Sequence, residues 1–216
     1  MESKEFDYAK DNLEMRPLEH YLDAYKACDP MEISNRTGVL YNEETAEFRI
    51  NVMGKGYYIS FPDFEIRKAD ESDDSYHALL EFHKTKIFVL RFLTECTMVP
   101  ATGQYVTYRD IPNGELYFRQ FQGRCIFRLQ FGFGFKISKF EKAMEKMGAK
   151  PMKMGDVAYA FDILDGLTMV FILWEGDDEF QPSAQILFSD NFGTVFKAED
   201  LAVAGDISIT NLKALA

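Results

Sequence analysis

Val157-Ala158-Tyr159-Ala160-Phe161-Asp162-Ile163-Leu164-Asp165-Gly166-Leu167-Thr168-Met169-Val170-Phe171-Ile172-Leu173-Trp174 is the stretch whose reading decides the fold. Val157, Tyr159, Phe161 and Ile163 alternate along its first half, the period of a strand. Asp165-Gly166 supplies a hairpin turn of type I′. The returning half, Leu167–Trp174, is apolar at both parities. A strand with that composition lies inside a sheet covered on both faces. At eight residues this run is too short to cross a bilayer as a helix.

Outward from the hairpin, Gln185–Phe188 reads as a further strand and Thr194–Phe196 as one more. The tail from Ala198 reads as helix, broken or bent near Gly205. On the other side, Ser138–Gly148 is a helix. Ser138 and Glu141 make an S-x-x-E capping box, Phe140, Ala143, Met144 and Met147 form a stripe, and Gly148 is the left-handed stop before Pro151. Phe118, Phe121, Cys125 and Leu129 predict another helix from about Gly114, after an Ile111-Pro112-Asn113-Gly114 turn and a short strand at Tyr105–Tyr108. A long helix is predicted over Ser75–Thr97, with Tyr76, Leu80, His83, Ile87, Leu90 and Thr94 on one face.

Residues 38–68 carry an antiparallel meander. Phe48, Ile50 and Val52 alternate, Gly54-Lys55-Gly56 turns the chain, and Tyr57, Ile59 and Phe61 alternate again. Lys68–Ser75 is a solvated loop. A first helix begins near Pro17, with Leu18, Tyr21, Leu22 and Tyr25 on one face, and ends at Asp29-Pro30. The reading is one α+β domain over 1–216 with a mostly antiparallel sheet: an N-terminal meander, a helical middle, and a β-hairpin region closed by helices. Residues 1–40 form a helical N-terminal extension.

Composition sets bounds on function. Hydrophobic residues are 47% of 216 and aromatics 15%, enough for a sizeable core. Net charge is −11 with no basic run, which argues against nucleic acid and against an anionic membrane surface. Residues 1–16 lack the apolar segment of a secretory signal. Cys28, Cys96 and Cys125 are scattered, as in reduced thiols of a cytoplasmic protein, and offer no zinc or iron–sulfur pattern.

The sharpest constellation is Trp174-Glu175-Gly176-Asp177-Asp178-Glu179-Phe180. Glu175, Asp177, Asp178 and Glu179, beside Asp156 or Asp190, are oxygen donors of the kind a divalent cation takes. The spacing is not that of an EF-hand. The same carboxylates could serve as an acid–base pair if two of them share a cleft. The alternative is an exposed acidic turn between strands with Trp174 and Phe180 as core anchors; the same two rings are, with Arg109, the candidate ligand-binding residues. Arg109 is the candidate anion ligand, with local pairing to an acid as its alternative. Phe131-Gly132-Phe133-Gly134-Phe135 matches no phosphate loop; its rings either fill core gaps or make a partner surface. His83 reads as a satisfied core histidine, and Cys125 as a small core residue.

The order of Tyr108-Arg109-Asp110 with Asn113-Gly114, Phe131-Gly132, Met147-Gly148-Ala149 with Gly155-Asp156, the Trp174–Phe180 segment, Ile186-Leu187-Phe188 and Glu199-Asp200 resembles a prokaryotic family of unknown function, family 3786. The resemblance covers roughly residues 45–215. It implies no activity. In relatives joined to a cysteine-rich iron–sulfur module it implies redox or one-carbon metabolism in anaerobes, and this chain lacks that module. The expected function is a cytoplasmic binding or accessory protein that meets a protein or small molecule through an aromatic-lined groove or surface, with no cofactor. The alternative is an enzyme working through the acidic turn with a divalent cation.

Overall fold

The computed structural model describes residues 15–216, and residues 1–14 of the expected extension lie outside it. Helix α1 (Arg16–Lys26) and helix α2 (Pro30–Thr37) precede the sheet. Asp29-Pro30 ends one helix and starts the next: the Asp29 carboxylate accepts from the Met31 and Glu32 amides, and proline fills the first helical position. The meander follows as β1 (Leu40–Asn42), β2 (Glu47–Val52), β3 (Lys55–Ser60) and β4 (Ile66–Lys68). Its turn is Met53-Gly54 rather than Gly54–Gly56. Both residues have positive φ, 48° and 78°, as a type I′ turn demands, which frees Lys55 and Gly56 to pair within β3.

The predicted helix over Ser75–Thr97 is split. Phe82 is extended between α3 (Ala78–Glu81) and α4 (His83–Glu95). The break rotates α4, so its buried face is Thr85, Phe88, Val89, Phe92 and Leu93; of the predicted stripe on this helix only Leu90 is also buried. His83 is half-buried in the first turn, and the buried histidine is His77. Then come β5 (Tyr105–Thr107), a 3₁₀ turn at Tyr108–Asp110, α5 (Gly114–Phe121), a π-helical segment at Gln122–Ile126, α6 (Phe127–Phe133) and α7 (Ile137–Lys146). Ser138 lies inside α7 and forms no cap. The helix is phased by its buried stripe of Phe140, Ala143 and Met144, and Gly148 ends it at φ 71°.

Strands β6 (Lys150–Met152), β7 (Val157–Leu164), β8 (Leu167–Trp174) and β9 (Ser183–Ser189) complete the sheet in the order β4-β3-β2-β7-β8-β9-β5, with β1 on β2 and β6 on β7. All pairings are antiparallel. The β7–β8 turn has positive φ only at Gly166, so it is not type I′; the ladder absorbs the difference in a register shift between Asp162 and Leu164. Along β8, Leu167, Met169, Phe171 and Leu173 face the helices, while Val170 and Ile172 join Ala158 and Ala160 in a smaller cluster under Met152, Met154 and Tyr105. That two-sided burial is why β8 is apolar at both parities.

The stretch Thr194–Phe196 is not a strand. Helix α8 (Phe192–Val195) starts there because the Asn191 carbonyl takes the Thr194 and Val195 amides, while its side-chain amide donates to Val99 and Gly166 carbonyls. The final helix, α9 (Ala198–Leu215), runs unbroken through Gly205. A Cβ at Gly205 would stand 2.7 Å from the Cys125 sulfur, so the glycine serves close helix packing rather than a bend. One hydrophobic core joins residues of the meander, the helices and the hairpin region. The result is an α+β domain. No described helix is long and apolar enough to cross a membrane.

Candidate functional site

Strand pairing brings Trp174 and Arg109 to the Ser183 end of β9. Trp174 pairs with Ser183, and Thr107 pairs with Leu187, so the chain just past β5 carries Arg109 alongside Gln185. Beyond Thr107, no strand among the described residues covers the outer edge of β9. Helix α5 and the π segment lean over that edge and leave a groove of about 360 Å³. Its walls are Tyr108, Phe118, Phe121, Ile126 and Ile186, with Thr107, Arg109, Gln122 and Gln185 as the polar groups. Tyr108 and Phe121 stack at 4.0 Å and form the floor. The Tyr108 hydroxyl is spent on the Ala198 carbonyl at 2.8 Å, and burial raises its pKa.

Arg109 sits at the mouth. Its guanidinium lies 3.9 Å above the Phe118 ring, and its Nε is 3.4 Å from the Glu115 carboxylate. Arg109 and Glu115 side chains are 55% and 73% exposed, so their pairing is weak and leaves the cation available to an anion.

The acidic turn is placed differently from a metal loop. Asp177 accepts from the Glu179 and Phe180 amides at 2.8 and 2.7 Å, which closes the turn locally. The Phe180 amide, then the Glu179 amide, hold its pKa below the usual carboxylate value. Asp156 accepts from the Glu175 amide and so staples the turn to the hairpin base. Asp190 is at the opposite end of β9, bound to Thr102. Glu175, Asp178 and Glu179 are exposed, and so are Trp174 at 37% and Phe180 at 69%, so the two rings do not anchor the turn in the core, and neither lines the groove. Among the described residues, no group of three or more His, Cys, Asp or Glu side chains is placed to hold a metal ion. The divalent-cation reading therefore gains nothing from the geometry.

The two aromatic readings of residues 131–135 divide. Phe133 is buried at 3% exposure, while Phe131 and Phe135 stand 59% and 49% exposed. Cys125 is a core residue, its thiol pushed up to about 12 by burial and by Asp206. Cys28 and Cys96 are unbridged.

Sequence reasoning missed a polar cluster in the loop read as solvated. His77 is buried, with Nδ1 3.0 Å from the Tyr57 hydroxyl and Nε2 3.3 Å from Asp73 Oδ2. Lys55 Nζ is 2.9 Å from the same Asp73 oxygen and also contacts Ser75. Burial, then the Lys55 charge, lowers the His77 pKa. The alternation that put Tyr57 on the inner face of β3 was the available signal; the loop's return to it was not. Lys55→Met should raise the His77 pKa, since it removes a neighbouring cation and leaves Asp73 to the imidazole. An NMR titration of the His77 ring protons reads this, and a fall would contradict the arrangement.

These observations define an α+β protein with an aromatic groove at an open sheet edge. Residues 29–211 match the family described as a domain of unknown function (DUF3786), and the chain belongs to that family. No curated protein and no solved structure matches it.

Proposed function

We propose that the chain is a binding protein whose groove between β9 and α5 takes a small organic anion with a flat apolar body. The observation that carries this reading is the convergence of Arg109, Gln122 and Gln185 on a groove lined by three aromatic rings, the make-up of small-molecule sites in general. The lining contains no His, Cys, Asp, Glu or Lys, and its two hydroxyls are engaged elsewhere, Thr107 donating to the Asp110 carboxylate and Tyr108 to the Ala198 carbonyl. That balance favours binding over catalysis.

Aromatic carboxylates and sulfonates are the probes, with binding followed by calorimetry. One of them should bind saturably. Arg109→Gln should weaken it by about ten-fold or more, the worth of a hydrogen bond to a charged group, and Phe118→Ala should weaken it too. Absence of saturable binding across the set, or binding indifferent to both substitutions, would sink the reading.

A further inference from the structure

Among the described residues nine large hydrophobics are exposed, and three of them, Phe127, Phe131 and Phe135, form one stripe. Phe127, Phe131 and Phe135 are spaced by four residues along α6 and its exit, with the first two rings 6.1 Å apart. The end of this stripe abuts the acidic turn. The Gly176 amide donates to the Gly134 carbonyl, and the Phe135 ring packs against Gly176. At typical side-chain areas the three half-exposed rings present roughly 300 Å² of apolar surface, a small apolar centre to which the charged groups at its two ends add.

The charges beside the stripe are unequal at its two ends. Arg124 in the π segment and Arg128 in the first turn of α6 lie one helical step from Phe127 and Phe131. They share the single carboxylate of Asp206 with Lys84, at 3.2 Å for Arg124 and 3.1 Å for Lys84. Three cations on one anion leave a surplus of positive charge, and all three are at least 34% exposed. At the other end stand Glu175, Asp177, Asp178 and Glu179, none in an ion pair within the described residues. The two ends are about 15 Å apart at the rise of a helix.

From this we infer that the stripe is covered by a second copy of the chain, packed antiparallel about a two-fold axis near Phe131. A two-fold interface brings each patch against its counterpart in reverse. The cationic end of one copy then faces the acidic turn of the other, twice, while the rings pair between them. A one-sign surface would repel itself in the same arrangement; this one is self-complementary because its charge changes sign along the stripe. The proposal is independent of the ligand groove, since Phe131→Asp leaves Arg109, Phe118 and Tyr108 untouched.

Sedimentation velocity on the purified full chain tests it. The wild type should run at twice the 24.9 kDa chain mass. Phe131→Asp, at an exposed position, should run as the monomer with an unchanged circular dichroism spectrum. Asp178→Lys combined with Glu179→Lys, and separately Arg124→Glu, should each weaken the dimer, because like charges then meet at both contacts. An equimolar mixture of those two variants should dimerise again, since each contact now pairs opposite signs. A single monomeric species for the wild type, a dimer indifferent to Phe131→Asp, or a mixture no tighter than its components would each overturn the proposal.

Discussion

Gly54→Ala is expected to lower the stability of the fold by about 2–4 kcal/mol, from two additive causes. Gly54 has φ 78°, a conformation that costs an L-residue about 1 kcal/mol. A Cβ there would also fall inside contact distance of the Met147 carbonyl oxygen, a backbone atom at the end of α7 that cannot swing aside. The hairpin tip would have to lift from α7, at an overpacking cost of about 1–3 kcal/mol. Gly38→Ala separates the two causes. Gly38 has φ 75°, and a methyl added there would meet nothing within 4 Å, so it carries strain without a clash. Urea denaturation of both variants should show Gly38→Ala losing about 1 kcal/mol, the conformational part alone. Equal losses would mean that the β2–β3 turn does not rest on α7.

Asp206→Ala is expected to cost about 2–3 kcal/mol, somewhat less than removing one partner of a fully buried pair because the cations around it keep some water. Asp206 lies on α9 at 7% exposure and receives Lys84 from α4 and Arg124 and Arg128 from the π segment and α6. Without it three cations face one another across packed helices, and the helices that carry the exposed stripe lose their tie to α9. The pH dependence has a definite sign. Burial pushes the Asp206 carboxyl upward, but Lys84 and the two arginines outweigh it and hold its pKa below the ordinary value. A depressed carboxyl adds stability above the unfolded pKa and loses it as pH falls through the folded one. Acid titration of wild type and variant, by thermal unfolding, should therefore converge as pH falls below the ordinary aspartate range. Curves that stay parallel would place the stabilisation elsewhere.

What was legible in the chain was local. The hairpin of β7 and β8 follows from alternation around Asp165-Gly166, and the burial of β8 on both faces from its uniform apolarity. The stripe of α7 and its glycine stop were readable for the same reason: a helix repeats at 3.6 residues and a strand at 2, so a neighbour-to-neighbour pattern carries the element. Errors fell where a distant partner decides the local state. Asn191 turns Thr194–Val195 into helix by holding Val99 and Gly166, far along the chain. Gly205 reads as a helix breaker until Cys125 is seen to need its empty space. Phe82 breaks a run whose composition favours one helix, and His77, not His83, is the histidine that the sheet takes in.

The candidate site divides in the same way. Arg109, Trp174 and Phe180 stood out as residue types in suggestive contexts, and the pairing of β9 with β5 and β8 gathers them at one end of the sheet. The groove itself had no signature, because its walls come from a 3₁₀ turn, a helix, a π segment and a strand edge that meet only in three dimensions. The acidic turn was visible as a charge run, yet whether its carboxylates converge on an ion or close a turn depends on backbone direction, and Asp177 points back to its own amides. By itself, then, the sequence determined the class of fold, the elements with strong periodicity and the absence of a catalytic motif, since these rest on spacing along the chain. Only the tertiary structure decided the groove, the division of the Phe131–Phe135 rings between core and surface, and the sharing of Asp206 among three cations. Each of those depends on which distant segments pack together, and packing is chosen by the whole buried surface at once.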